Sequence, residues 1–302
     1  MLYQLSYTPA ARRCGAFIEG AGDRQSSLPP VLCAATMHAP AAPPIPVETL
    51  LLAYRSGIFP MADRRDDTEV FWVEPRERAI IPLGDLHLSK SLRKVLRADR
   101  FAVTVDRAFE QVVRACAEPR ADHPETWISE RILQSYIGLH RAGHAHSVEC
   151  WTAGNDGARA LVGGLYGVSF DRVFCGESMF SREADASKVA LAWLVALLRT
   201  AGFALLDCQF MTEHLRSMGA TELPQADYRR LVQDACGQPR TSLGTAWRSF
   251  AEAYAPGVGA DAGAGVAAAA GRGAGLPEAF AAGAAAPSSP GKAIVQSLTQ
   301  TS

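Results

Sequence analysis

The stretch from Ala184 to Thr200 constrains this chain more than any other. Its apolar side chains (Val189, Leu191, Trp193, Leu194, Val195, Leu197, Leu198) fall on nearly every side of a helix, which Gly202 stops. A helix that is apolar all round has to be buried. Apolar strand-like runs flank it, Val173–Met179 before and Phe203–Phe210 after. Strand, helix and strand in that order make a right-handed crossover between parallel strands. Ligands gather beyond the carboxyl ends of such strands.

The neighbouring segments fit around this unit. His146–Thr152 and Ala160–Phe170 read as strands joined by the turn residues Gly154-Asn155-Asp156-Gly157, and a tight turn at Asp171-Arg172 leads into Val173. An antiparallel meander thus runs into the β-α-β crossover, which predicts a mixed α/β fold, an α+β-type mixed sheet. Upstream, helices are expected over Val47–Ser56, Ser89–Arg97, Ala108–Ala117 and Ser129–Ala142, the last closed by Gly143. Val70–Val73, Ala79–Pro82 and Phe101–Val105 are strand-like. Downstream follow a short helix at Thr212–Met218, a strand at Thr221–Leu223 and a helix at Asp227–Ala235.

Both flanks have a different texture. Thr36–Pro46 is an Ala/Pro run that fits an extended linker, and the residues before Met37 show no periodicity. One expectation is therefore that translation starts at Met37. From Ala255 to Ser302 the chain is mostly Ala, Gly and Pro, with too few branched or aromatic side chains to offset its ordering entropy. The expected organisation is an extension at 1–46, a small N-terminal domain at 47–120, a larger domain at 121–240 and an extension at 241–302, disordered from about 255.

Composition limits the partners. Among 302 residues, 30 Lys and Arg face 31 Asp and Glu, which argues against a wholesale polyanion binder but leaves room for a local basic patch. The 7 cysteines are odd in number and dispersed, with no C-x-x-C, as expected of reduced thiols in a cytoplasmic protein. No signal-peptide core and no uninterrupted apolar span is present, so no membrane partner is expected.

Several groups of residues can carry chemistry. If the two crossover strands are adjacent, Glu177, Asp207 and Gln209 meet at one edge of the sheet, with Cys208 on the opposite face from Asp207 and Gln209. Two carboxylates and an amide are costly to bury without partners, so they form either a reactive site or a structural hydrogen-bond network. Lys90, Arg93, Lys94 and Arg97 line one face of the Ser89–Arg97 helix, where they can track phosphates or simply face solvent. Arg76 and Arg78 are expected to extend that patch. His140, His144 and His146 have spacings that could chelate a metal, but Gly143 ends the helix between them and no H-E-x-x-H follows, so no metal is expected. No nucleophile elbow surrounds Ser178 or Ser181, no histidine is positioned beside Cys208, and no nucleotide-binding glycine loop occurs.

A resemblance sharpens this reading. GIFPM (Gly57–Met61), FWVEPRER (Phe71–Arg78), HLSKSLRK (His87–Lys94), TWIS (Thr126–Ser129), GHAHSVECW (Gly143–Trp151), LVGGLYGV (Leu161–Val168), FCGESMFS (Phe174–Ser181), ASKVAL (Ala186–Leu191) and LLDCQ (Leu205–Gln209) occur in that order. Together they resemble the leucyl/phenylalanyl-tRNA–protein transferases over about Val47 to Ala235. The resemblance implies transfer of Leu, Phe or, to a lesser extent, Met from leucyl-, phenylalanyl- or methionyl-tRNA to the α-amine of proteins beginning with Arg or Lys. That transfer marks the acceptor for N-degron proteolysis. It also implies a Gcn5-type N-acetyltransferase-like larger domain, no metal or organic cofactor, and action as a monomer in the cytoplasm.

Site residues follow from the same resemblance. Asp207 and Gln209 match a catalytic pair in which the carboxylate orients the amide and the amide oxygen receives a hydrogen bond from the attacking amine. Glu177 matches a third acidic residue, and two carboxylates together would favour a cationic acceptor. Leu165, Phe174, Met179, Leu191 and Leu206 match the donor side-chain pocket, Ser181 a position near the aminoacyl group, and Trp127 an aromatic that contacts the terminal adenosine. The basic helix, with Arg76, becomes the acceptor-stem contact. Two departures stand out: Met61 occupies a position where many relatives carry Trp, and the segment before Leu50 lacks the usual N-terminal block. The alternatives are an acyl-CoA-dependent N-acetyltransferase, although Ser181–Ala186 contains no glycine for a pyrophosphate turn, and a non-catalytic RNA-binding module.

Overall fold

The computed structural model describes residues 42–119, 125–153, 158–253 and 289–300. Helix α1 (Val47–Arg55) leads into a short antiparallel pair, β1 (Phe59–Met61) with β2 (Phe71–Val73). Then come β3 (Glu77–Ile81), α2 (Lys90–Arg97), β4 (Ala102–Val105), α3 (Phe109–Cys116) and α4 (Glu130–Arg141). The serine hydroxyls of Ser89 and Ser129 cap α2 and α4 by accepting from Leu92 N and Ile132 N. The meander follows as β5 (Ala145–Ala153), β6 (Arg159–Phe170) and β7 (Val173–Ser181), and the crossover helix α5 (Ala186–Ala201) leads to β8 (Leu205–Gln209). The chain continues through α6 (Glu213–Ser217), β9 (Thr221–Pro224), α7 (Gln225–Asp234), α8 (Leu243–Ala253) and α9 (Pro290–Thr299).

Among the described residues seven strands form one mixed sheet in the order β4-β5-β6-β7-β8-β3-β9, with β7 and β8 as its one parallel pair. The expected mixed α/β class, with a meander feeding a β-α-β unit, is what the chain adopts. Strands β3 and β4, both from the 47–120 segment, are part of this larger sheet. One sheet face packs against α2, α5, α8 and α9 through a cluster that includes Leu92, Leu96, Leu191, Leu206 and Ile294. The opposite face packs against α1, α3, α4 and α7 through Leu50, Tyr54, Val112, Tyr136 and Tyr228. As its composition requires, α5 is buried along nearly its whole length.

Two expectations about the flanks change. Ile45, placed in the linker, is buried, and its N–H donates to Ser135 Oγ at 2.8 Å. The tail is not unstructured at its far end: Pro290–Thr299 is a helix with Ala293, Ile294, Val295 and Leu298 buried against α2 and α5. That short run holds half of the branched apolar side chains of the tail, and Ser289 before Pro290 is a helix-start signal. The remainder of the tail and residues 1–41 lie outside the described residues. Among the described residues no helix is long and apolar enough to cross a membrane.

Candidate active site

The parallel pairing of β7 and β8 is short. It runs from Val173↔Leu205 to Cys175↔Asp207 and stops, after which β7 stays with β6 and β8 with β3. Both strands carry a bulge where they part. On β7, Gly167↔Gly176 is followed by Tyr166↔Ser178, which leaves Glu177 without an opposite residue. On β8, Ile80↔Asp207 is followed by Ala79↔Gln209, which leaves Cys208 over. Bulges re-aim side chains, and here they face each other across a wedge in the sheet.

Glu177, Asp207 and Gln209 therefore do come together, and all three are buried. Tyr136 Oη donates to Glu177 Oε2 at 2.9 Å, and the Tyr54 and Tyr136 hydroxyls lie 2.8 Å apart. Glu177 Oε1 and Gln209 Nε2 are buried without a hydrogen-bond partner. Burial pushes the Glu177 carboxyl up to about 7, against the opposing influence of the nearby Gln209, Tyr136 and Tyr54 groups and with a further push from Asp207. Burial also holds the Tyr54, Tyr136 and Tyr166 hydroxyls well above their ordinary range, so they stay protonated donors.

Asp207 has a partner that corrects the sequence reading. Arg78, expected on the surface patch, is fully buried. Its Nε donates to Asp207 Oδ1 at 3.1 Å, and one terminal nitrogen donates to Oδ2. Burial alone would lower the guanidinium's pKa, but the Asp207 charge outweighs that and raises it. Removing either member of such a buried pair costs about 3–5 kcal/mol. The expected pair of uncompensated carboxylates thus reduces to one, Glu177. A signal was present: Arg78 heads the apolar strand-like run Ala79-Ile80-Ile81, and two carboxylates elsewhere in the chain are in need of a partner.

Gln209 has φ 63°, a left-handed conformation for a residue with a side chain. That geometry costs about 1–2 kcal/mol. The Gln209 N–H donates to Asp207 Oδ1 at 2.9 Å, and a hydrogen bond to a charged group, about 1.5–3 kcal/mol, is enough to offset it.

Next to this polar edge lies an apolar cleft with ≈ 650 Å³ of empty space, open solvent at its mouth included. Trp127, Leu165, Met179, Leu191 and Leu206 line it, and Glu177 forms part of the same wall, whereas Asp207 and Gln209 do not line it. Phe174 and Ser181 do not line it. Phe174 is core, its ring pressed under Gly167, where an added Cβ would come 2.4 Å from the ring edge. Ser181 Oγ donates to Glu183 O at 2.6 Å and accepts from Ser187 N, so it builds the turn into α5. His214 also lines the cleft, a residue that the motifs did not single out. Burial and nearby Lys188 lower it to about 4, so its imidazole is neutral at pH 7. Burial raises the Cys208 thiol, which keeps it protonated and poorly nucleophilic.

The basic helix keeps its charges outward. Leu92 and Leu96 anchor α2 to the sheet face that holds the cleft, while Lys90, Lys94 and Arg97 are exposed and Arg93 half-buried. None of the four has an acidic partner within ion-pair distance among the described residues. Arg76 is exposed as well. The three histidines do not share one site: His140 and His146 both face Asp106, at 4.0 and 2.8 Å, while His144 lies apart. His140 Nδ1 lies 2.8 Å from Ala145 O with its ring stacked on Phe109, His144 lies against Ser169 O, and His146 bonds Asp106.

The family model described as leucyl/phenylalanyl-tRNA protein transferase matches residues 80–233, and the model of that family's N-terminal domain matches residues 44–76. The chain belongs to this family. It is 58% identical to the leucyl/phenylalanyl-tRNA–protein transferase of Novosphingobium aromaticivorans, over 85% of this chain and 97% of the relative. It is 57% identical to that of Rhizorhabdus wittichii, over 63% of this chain and 75% of the relative. Among solved structures, a crystal structure of FemX aligns with a TM-score of 0.39 and 12% identity, over 62% of this chain and 71% of that one. Membership of the transferase family makes the chain a transferase. The two family segments meet between β2 and β3, so the N-terminal segment comprises α1, β1 and β2, and the larger segment begins within β3.

Proposed function

We propose that this transferase moves Leu, Phe or Met from aminoacyl-tRNA to the α-amine of proteins with N-terminal Arg or Lys, which feeds N-degron degradation. The observation that carries the reading is the cleft: apolar at its base, with the buried Glu177 in its wall and the Gln209 side chain beside that carboxyl. Leu165, Met179, Leu191 and Leu206 would receive an unbranched or aromatic donor side chain, and Trp127 the terminal base. The cationic face of Lys90, Arg93, Lys94 and Arg97, with Arg76, would track the acceptor stem through its phosphates.

The chemistry asks little of the protein. An aminoacyl ester is already activated, so orientation and a place for one proton suffice. The amine nitrogen attacks the ester carbonyl carbon, the bond to the ribose oxygen breaks, and the proton shed by the amine ends on that oxygen. Gln209, oriented by Asp207, would accept the amine's hydrogen bond. Glu177, with a free Oε1, would attract a cationic acceptor and hold the proton in transit. The enzyme would work in the cytoplasm, as a monomer, without a metal or organic cofactor.

The test is transfer of labelled Leu from leucyl-tRNA to a peptide with N-terminal Arg beside one with N-terminal Ala. Transfer to the Arg peptide alone is expected, and transfer to neither overturns the proposal.

A further inference from the structure

Behind Gln209 lies a chain of buried contacts that begins at Arg78. All of the Arg78 guanidinium is enclosed: Nε and one terminal nitrogen hold Asp207, and the other terminal nitrogen donates to Gly57 O at 3.1 Å. Its central carbon lies over two aromatic rings, 5.1 Å from the Phe59 centroid and 4.4 Å from that of Tyr228. Tyr228 Oη adds a third donor to the assembly, 3.2 Å from Asp207 Oδ2. Asp207 is therefore gripped by both edges of its carboxylate, and the oxygen that meets Arg78 Nε also receives the Gln209 N–H at 2.9 Å. That last bond closes the left-handed turn at Gln209, φ 63°.

The strand register explains the reach of Arg78. It precedes Ala79, which pairs with Gln209, while Ile80 pairs with Asp207, so the bulge at Cys208 sits between the two pairs. A counterion for a buried carboxylate needs only a positive charge. This arrangement supplies more: a planar fork whose two donors fix the plane of the carboxylate, and hence where Oδ1 points.

We propose that Arg78 is a positioning residue of the transfer reaction, which holds Asp207 so that Asp207 fixes Gln209 in its left-handed conformation with its amide beside the Glu177 carboxyl, which forms part of the cleft wall. The inference rests on the aminoacyl-transfer reading above. It differs from charge compensation in one respect: the effect of Arg78 on turnover must pass through Gln209. Lysine keeps the charge and loses the fork.

The experiment is a double-mutant cycle between Arg78→Lys and Gln209→Ala, with steady-state transfer of Leu from leucyl-tRNA to the Arg peptide as readout. Arg78→Lys is expected to lower kcat about 100-fold while KM for leucyl-tRNA stays within about twofold. In the Gln209→Ala background the same change should alter kcat by less than about twofold. Full additivity, or an unchanged kcat in Arg78→Lys, overturns the proposal. If Arg78→Lys does not fold, as judged by its circular dichroism and thermal melt, Tyr228→Phe takes its place in the cycle. Tyr228→Phe removes one donor to Asp207 and should lower kcat about fivefold, an effect that disappears in Gln209→Ala. Additivity there overturns the proposal equally. A wild-type protein with no transfer at all would instead remove the functional reading on which the inference rests.

Discussion

Tyr136 donates a 2.9 Å hydrogen bond to Oε2 of Glu177 while Oε1 of the same carboxyl, equally buried, has no hydrogen-bond partner. The half-satisfied carboxyl is why burial dominates its titration and carries it from its ordinary 4.5 to about 7.

The stability of the protein should depend on pH through this residue, with a definite sign. Between about pH 4.5 and 7 the folded protein retains a proton on Glu177 that the unfolded chain has lost, so this residue's contribution declines as pH rises and is gone above 7. Glu177→Gln stays neutral throughout. Its stability relative to wild type should therefore climb across that window, by on the order of 3 kcal/mol. Thermal melts of both proteins at pH 5 and pH 8 check this. A Tm difference that does not change with pH would show that Glu177 is not held in its acid form by burial.

The donor cleft can be reshaped from α5. Leu191 is buried and lines it. Leu191→Phe places a ring in the space a donor side chain would use, at an overpacking cost of about 1–3 kcal/mol. Transfer of Phe should suffer more than transfer of Leu, and the Leu:Phe ratio of kcat/KM should rise about tenfold. Competition between leucyl- and phenylalanyl-tRNA in one reaction measures that ratio directly. An unchanged ratio would move the donor pocket away from this cleft.

Helix α2 offers a separable test of tRNA binding. Lys90, Lys94 and Arg97 are exposed and without an ion-pair partner among the described residues, and the buried anchors are Leu92 and Leu96. Replacing the three cations by Ala should leave stability within about 0.5 kcal/mol per site. It should also weaken tRNA binding and flatten the plot of log affinity against log salt, by about 0.9 for each phosphate no longer neutralised. Because these residues stand apart from Glu177 and Gln209, kcat at saturating tRNA is expected to hold. A slope identical to wild type would place the acceptor stem elsewhere.

Much of this was legible in the sequence, for reasons that differ by residue. The all-round apolar α5 and its flanking strands dictated the parallel pair β7 and β8, and strand position alone brought Glu177 to Asp207 and Gln209. The bulges at Glu177 and Cys208 were not legible, because strand alternation says nothing about where one extra residue interrupts a ladder. Arg78 was misplaced because spacing grouped it with Arg76, whereas β3 enters the sheet between β8 and β9 and turns that side chain inward. Tyr136 and Tyr54 lie on apolar helix faces, where a tyrosine that completes a polar network looks the same as one that merely packs. Phe174 and Ser181 show the reverse limit, since motif position assigned them to a cleft whose wall they do not form. Helix α9 was hidden by the Ala-rich composition around it.

That last helix can be tested through its first turn. Gly291 sits there so close to the end of α2 that an added Cβ would lie 1.7 Å from Leu96 O and 2.7 Å from Asp99 Oδ1. Leu96 O is backbone and cannot swing aside. Gly291→Ala must therefore lift α9, break the Gly291 N–H bond to Asp99 and loosen Ile294, Val295 and Leu298 from the surface of α2 and α5. Fully burying one such side chain is worth about 1.5–3 kcal/mol, and even partial release of three should cost on the order of 2–3 kcal/mol. Gly84→Ala is the control, since nothing lies within 4 Å of its added Cβ. The expected result is a lower Tm for Gly291→Ala alone, with faster amide exchange in α2. Equal melting of the two variants would mean that α9 does not brace the basic helix.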